Sequence, residues 1–123
     1  MGRSYKAQFW FLAKERADLI ARIEAEGLQA VFEGIPMSKV LEDIVKERVK
    51  QDLKWGEQNH NPYKWTAIIM EELGECSEAV SQTEFGGPKG GLENIRKEAI
   101  HTAATALAFV ECLDRKKYPE NWG

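Results

Sequence analysis

A chain of 123 residues with a net charge of -3 is long enough for one domain with its own core and short for two. At 43% hydrophobic and 30% charged it has an ordinary globular balance, and its scattered lysines and arginines form no basic stripe of the kind a nucleic-acid surface displays. No apolar run approaches the roughly 20 residues of a membrane span, and the patch Phe9–Ala13 is cut off by Lys14-Glu15-Arg16 too early for a signal peptide.

The first predicted helix runs from Tyr5 to Glu26 and closes at Gly27, with Phe9, Leu12, Ala13, Leu19, Ile20 and Ile23 as an uneven apolar stripe. Gln29 to Met37 reads as a connector holding Gly34 and Pro36, in which Ala30-Val31-Phe32 is at most a very short strand. Ser38 is an N-cap for a second helix, Lys39 to Trp55, apolar at Val40, Leu41, Ile44, Val45 and Val49 and closed by Gly56. After a polar loop, Asn61 caps a third helix that carries Pro62 at its first position and runs to about Thr83. The glycine-rich segment Gly86–Gly91 is expected to be a flexible loop. The fourth helix, Leu92 to Lys117, is apolar at Leu92, Ile95, Ala99, Ala103, Leu107, Val110 and Leu113. Four amphipathic helices with short connections predict an all-α antiparallel helical bundle. Several wide apolar faces and four tryptophans in so small a chain predict a core completed by oligomerisation. Cys76 and Cys112 lack metal-site spacing and read as buried free thiols of a reducing compartment, which makes the cytoplasm the expected location.

The chemistry concentrates in Glu71-Glu72-Leu73-Gly74-Glu75. At about 100° per residue, Glu72 falls inside the apolar arc of Trp65, Ile68, Ile69, Cys76 and Val80, away from the edge shared by Glu71, Glu75 and Glu78. A carboxylate among core residues needs a positive partner. No lysine or arginine lies between Lys64 and Lys89, so a divalent cation is the economical one. Glu75 is one turn from Glu72, and an antiparallel fourth helix brings Glu98, itself one turn before His101, opposite both. Carboxylate ligation is hard-cation chemistry, suited to Mg²⁺ or Mn²⁺, and a metal with open positions accepts phosphate oxygens and a water. Taken alone, a glutamate run is an ordinary solvated face and a lone histidine an ordinary structural one. The apolar setting of Glu72 and the matching Glu98 set this chain apart.

Glu71-Glu72-x-x-Glu75, a gap of 22 residues, and Glu98-x-x-His101 resemble the ExxE…ExxD signature of the MazG-like all-α nucleoside triphosphate pyrophosphohydrolases. The upstream run Glu47–His60, with its Glu47-Arg48, Lys54-Trp55-Gly56 and Gln58-Asn59-His60, is similar to that of small bacterial and phage members, as is Ala103–Glu111. The likeness spans Ser38 to Arg115, about two-thirds of one all-α domain, and leaves residues 1–37 outside it. It implies Mg²⁺-dependent hydrolysis of a (deoxy)nucleoside triphosphate to the monophosphate and pyrophosphate by a homodimer or homotetramer. Glu72, Glu75 and Glu98 would hold the metal, with Glu71 positioning or deprotonating the attacking water. The family's last ligand is Asp, and here that position is His101, a better ligand for Mn²⁺ than for Mg²⁺. The substitution leads to a site with one ligand fewer, to a Mn²⁺ preference, or to a degenerate site in a non-catalytic nucleotide- or partner-binding module. For the substrate, Trp55 is the candidate to stack on a base, next to the hydrogen-bonding set Gln58, Asn59 and His60, an amide of which would read the base edge. Lys54, Lys64, Lys89 and the tail Arg115-Lys116-Lys117 are candidate phosphate contacts.

Overall fold

The computed structural model describes residues 17, 18, 20–27 and 37–115, and these are helical apart from short connections and caps. The start of the first predicted helix, the connector with its candidate strand, and the end of the last helix lie outside the described residues. Chain contacts cluster into two units, Met1–Lys39 and Val40–Gly123. In the first, residues 20–26 are helical, and Gly27, at φ 87°, closes the turn by donating its N–H to Ile23 O at 2.8 Å.

The second unit holds almost all of three helices: α1 (Ser38–Trp55), α2 (Pro62–Phe85) and α3 (Leu92–Arg115). Ser38 is the first helical residue of α1 rather than the residue before it. At the other end Gly56, at φ 71°, donates to Asp52 O. α2 starts as expected: Asn61 is extended, its side chain accepts the Lys64 N–H at 2.9 Å, and Pro62 follows. α2 continues two residues past Thr83. The Thr83 hydroxyl donates to Ala79 O at 2.6 Å and accepts the Gly91 N–H at 2.7 Å, so its last turn is tied on both sides.

The glycine segment, expected to be flexible, is pinned. Gln82 accepts the Lys89 N–H through its side chain at 2.7 Å and the Gly86 N–H through its carbonyl at 2.9 Å. A Cβ on Gly90 would stand 2.7 Å from that carbonyl oxygen, so the backbone's approach to α2 requires glycine there.

α2 and α3 form an antiparallel hairpin. Trp65 stacks on Phe109 at 5.9 Å, the Cys76 thiol faces Ile95 O at 3.9 Å, and Thr83 meets Gly91 at the loop end. The buried core of this unit is small: Trp65, Ala79, Ala104, Thr105 and Cys112. On α3 the predicted stripe is split, with Ile95, Ala103 and Leu113 half-buried. Leu92, Ala99, Leu107 and Val110 are exposed, and the small residues on the neighbouring arc let α2 approach. On α1 the predicted apolar side is split, with Leu41 and Ile44 half-buried and Val40, Val45 and Val49 exposed. Cys112 is buried and Cys76 half-buried, and both are free thiols.

α1 runs parallel to α3 and meets it through polar pairs at successive turns. Arg96 contacts Asp43 at 2.8 Å, His101 faces Glu47 at 3.5 Å, and Gln51 donates to Thr105 at 3.4 Å. No residue of α1 is fully buried. Its firmest anchor is Arg48, 12% exposed, which grips Glu111 through two nitrogens at 3.0 and 3.2 Å while also reaching Gln51 and Asp52. That guanidinium holds the Glu111 carboxyl below the usual carboxylate range. A depressed carboxylate contributes stability above its unfolded pKa and loses it as pH falls through the folded value. Glu111→Gln is therefore expected to cost about 1 kcal/mol at pH 7 and nothing near pH 2. Urea melts of both proteins at the two pH values test this, and equal differences would refute it.

Candidate metal centre

Glu72 on α2 and Glu98 and His101 on α3 converge, each offering a ligand atom within 4.8 Å of the other two. The pinned hairpin sets this register. α2 buries Trp65 and Ala79 against α3, which carries Glu72, on the same arc, toward the turn that bears Glu98. His101 Nδ1 lies 3.6 Å from Glu98 Oε2, and its Nε2 lies 3.5 Å from Glu47 Oε1, so the ring stands between two carboxylates. Glu98 is only 14% exposed and Glu47 19%.

The electrostatics are those of an acidic pocket whose one basic neighbour among the described residues is His101. Among the described residues no lysine or arginine pairs with Glu47, Glu72 or Glu98. Burial, then the charge of Glu75, pushes the Glu72 carboxyl above the usual range; Glu98 and Glu47 add to this, and His101 opposes it. Glu98 Oε2 is buried and accepts no hydrogen bond. A buried carboxylate oxygen without a partner is costly, and a hard cation relieves all of these features together. The donors present, carboxylate oxygens with one imidazole, suit such an ion.

The structure thus brings together three of the four predicted metal residues, Glu72, Glu98 and His101. Glu75 is exposed and outside the cluster, near enough only to raise Glu72. Glu71 is exposed on the neighbouring edge of α2. Glu47 was not predicted, although the sequence held the signal: with Arg48 and Gln51 it follows Leu41 and Ile44 on one helical face, as Glu72 follows Trp65 and Ile68.

One helical turn beyond the carboxylates along all three helices, a cavity of about 510 Å³ opens between Gln51, Trp55, Trp65, Ile68, Thr105 and Ala108. Of the predicted substrate residues, Trp55 lines it and is 61% exposed, with Lys54 Nζ 4.7 Å from its ring centre. Asn59 is occupied elsewhere: its amide donates to Glu57 at 2.9 Å and its oxygen accepts from Arg115 at 3.1 and 3.0 Å, fastening the α1–α2 loop to α3. His60 packs edge-on to Trp65 at 5.1 Å, and burial, with Lys64 nearby, pushes its pKa down, favouring the neutral ring. Lys89 reaches back to Glu78 at 3.4 Å rather than to the acidic cluster.

No described helix is long and apolar enough to cross a membrane. Compared with protein-family profiles, curated proteins and solved structures, the chain finds no significant match.

Proposed function

We propose that this protein is a divalent-cation-dependent nucleoside triphosphate pyrophosphohydrolase, cleaving between the α- and β-phosphates to release a (deoxy)nucleoside monophosphate and pyrophosphate. The observation that carries the reading is the buried Glu98 oxygen that accepts no hydrogen bond, set with Glu72 beside His101 and with no lysine or arginine paired to the group among the described residues. The resemblance of Glu71–Glu75 and Glu98–His101 to the MazG-like signature supplies the reaction.

In this reading Glu72, Glu98 and His101 hold the cation, Glu47 orients the imidazole from behind, and Glu75 contributes from the rim. The bound ion supplies charge neutralisation on the phosphate oxygens and a more acidic water. Glu71, at the exposed edge, would position the attacking water and take its proton as the water adds to the α-phosphorus and pyrophosphate leaves. Trp55 and the cavity beside it take the base, half-enclosed between two tryptophans and the Gln51 amide. Mg²⁺ is the expected ion, and the imidazole makes Mn²⁺ an effective substitute.

The second reading, a nucleotide- or partner-binding helical module without turnover, draws on His101 in place of Asp and on Glu75 standing outside the cluster. The antiparallel bundle would be completed by a second copy or more. Supporting this, Met70, Leu73 and Val80 on α2 are exposed by 70%, 55% and 48%. A cytoplasmic protein acting on the free nucleotide pool fits these properties, with neither nucleic acid nor membrane as partner.

The test is release of pyrophosphate as against orthophosphate from a panel of NTPs and dNTPs, with Mg²⁺ and separately with Mn²⁺. Pyrophosphate from any member of the panel is the expected result. Silence with both metals overturns the hydrolase and leaves the binding module.

A further inference from the structure

α1 is fastened to the α2–α3 hairpin without being packed into it. No residue of α1 is buried. Its half-buried side is largely polar, with Asp43, Glu47, Arg48 and Gln51 beside Leu41 and Ile44, and the apolar Val45 and Val49 face solvent. Two cavities undercut it. The one beside Trp55 holds about 510 Å³, and a second, about 860 Å³ and open to solvent, lies between α1 and the first turns of α3. Around them α1 is held by polar pairs, Asp43 with Arg96, Glu47 with His101, and Arg48 with Glu111. Pairs of this kind are individually weak and are screened by salt.

At its C-terminal end α1 stops at Gly56, φ 71°, and the loop beyond is fixed, because Arg115 of α3 holds Glu57, Asn59 and the Gln58 carbonyl. A rigid anchor and a loosely held helix therefore meet at one glycine. The acidic cluster needs something to move. Glu98 Oε2 is buried, so an ion reaches it only when a neighbour gives way. His101, a member of the cluster, is met on the α1 side by Glu47.

We propose that α1 is a strap that swings as one unit about Gly56, opening the His101 side of the cluster and both cavities together, and that Glu47 is the positioning contact through which a bound cation draws it shut. His101 faces Glu98 with Nδ1 and Glu47 with Nε2. An imidazole that ligates an ion through Nδ1 carries its proton on Nε2, where Glu47 accepts it as a hydrogen bond. The ion then binds the closed form more tightly than the open one and shifts the population toward it. The strap rests on the contacts of α1 alone; its closure by a cation rests on the metal-centre reading.

Amide hydrogen exchange of the whole chain, followed by mass spectrometry with chelator and with saturating Mn²⁺, is the test. An 18-residue helix freed from its neighbours is marginal in water, so α1 amides exchange whenever it swings away. With chelator they should exchange together, about 10²-fold or more faster than the central amides of α2 and α3, and about 0.5 M NaCl should quicken α1 alone. Mn²⁺ should slow α1 about tenfold in the parent and leave it unchanged in Glu47→Ala, which by linkage should bind Mn²⁺ about tenfold more weakly in calorimetry. Glu47→Gln, which keeps an acceptor oxygen, should restore the slowing. An α1 as protected as the hairpin, or one that exchanges gradually from its ends without a common rate, would overturn the strap. An α1 rate unmoved by Mn²⁺, or slowed equally in Glu47→Ala, would overturn closure through Glu47. Slowing by Mn²⁺ without pyrophosphate from any nucleotide would sink the hydrolase and leave the strap. Pyrophosphate release with α1 as protected as the hairpin would sink the strap alone.

Discussion

Replacing Glu72 by glutamine is expected to raise the melting temperature of the metal-free protein at pH 7.5 while lowering pyrophosphohydrolase turnover by about 10²–10³-fold or more. The two effects have one origin. The Glu72 carboxyl sits above the usual range because burial and its acidic neighbours disfavour its charge. The folded state therefore binds this proton more tightly than the unfolded state, and stability contributed by the group falls as pH rises from the ordinary carboxylate value through the folded one. The stabilising effect of Glu72→Gln should accordingly be largest above that window and vanish below about pH 4.5, the unfolded value. Excess Mg²⁺ or Mn²⁺ should reverse the order, stabilising the parent and not the variant, since an ion that binds only the folded protein adds to its stability. Melting curves at pH 4, 6 and 7.5 with chelator and with metal contain the whole test. A variant destabilised at every pH would show Glu72 to be structurally satisfied without a cation.

The largest effect on stability is expected at Trp65. It is 1% exposed, stacks on Phe109 and meets His60 edge-on. Among the described residues it is the one large aromatic that is fully buried. Removing a buried aromatic side chain typically costs about 3–5 kcal/mol. For a domain of this size that lowers the melting temperature by roughly 10–20 °C. With only Ala79, Ala104, Thr105 and Cys112 for company, the hairpin has little else with which to refill the space. Trp65→Ala should melt at correspondingly lower temperature by circular dichroism. A drop of only two or three degrees would mean that the α2–α3 contact is held chiefly by something other than this ring.

The parts of this molecule that were legible from sequence are those decided within a few residues. Gly27, Gly56 and the Asn61-Pro62 pair ended or began helices where local backbone chemistry required it. The exceptional position of Glu72 was readable because Trp65 and Ile68 define a strong arc on its own helix. On α3 the predicted stripe is only partly covered within one chain, with Ile95, Ala103 and Leu113 half-buried and Leu92, Ala99, Leu107 and Val110 exposed. The interior of α3 is made of Ala104, Thr105 and Cys112, whose hydrophobic signal is weak beside that of Leu107 and Val110, so close approach of backbones outweighed side-chain apolarity. Glu47 shares the half-buried face of α1 with Leu41 and Ile44, but its pairing with His101 depends on α1 lying along α3 in parallel, a relation between elements far apart in the chain. For Lys89 the sequence did not point to its partner across the loop, Glu78 at 3.4 Å.

The tether between α2 and α3 has a consequence beyond stability: it acts as a gauge block for the ligand set. Because Gln82, Thr83 and Gly90 fix where α3 begins, the number of residues between Phe85 and Leu92 determines which side chain meets Glu72. One residue more or fewer, with the start of α3 still pinned to α2 at the same place, would rotate the helix's side chains by about 100° and shift them by roughly 1.5 Å. Glu98 would swing out of the pocket and a neighbour such as Lys97 or Ala99 would take its bearing. The chemistry of the acidic cluster is thereby written partly in the length of a segment that contributes no carboxylate to it.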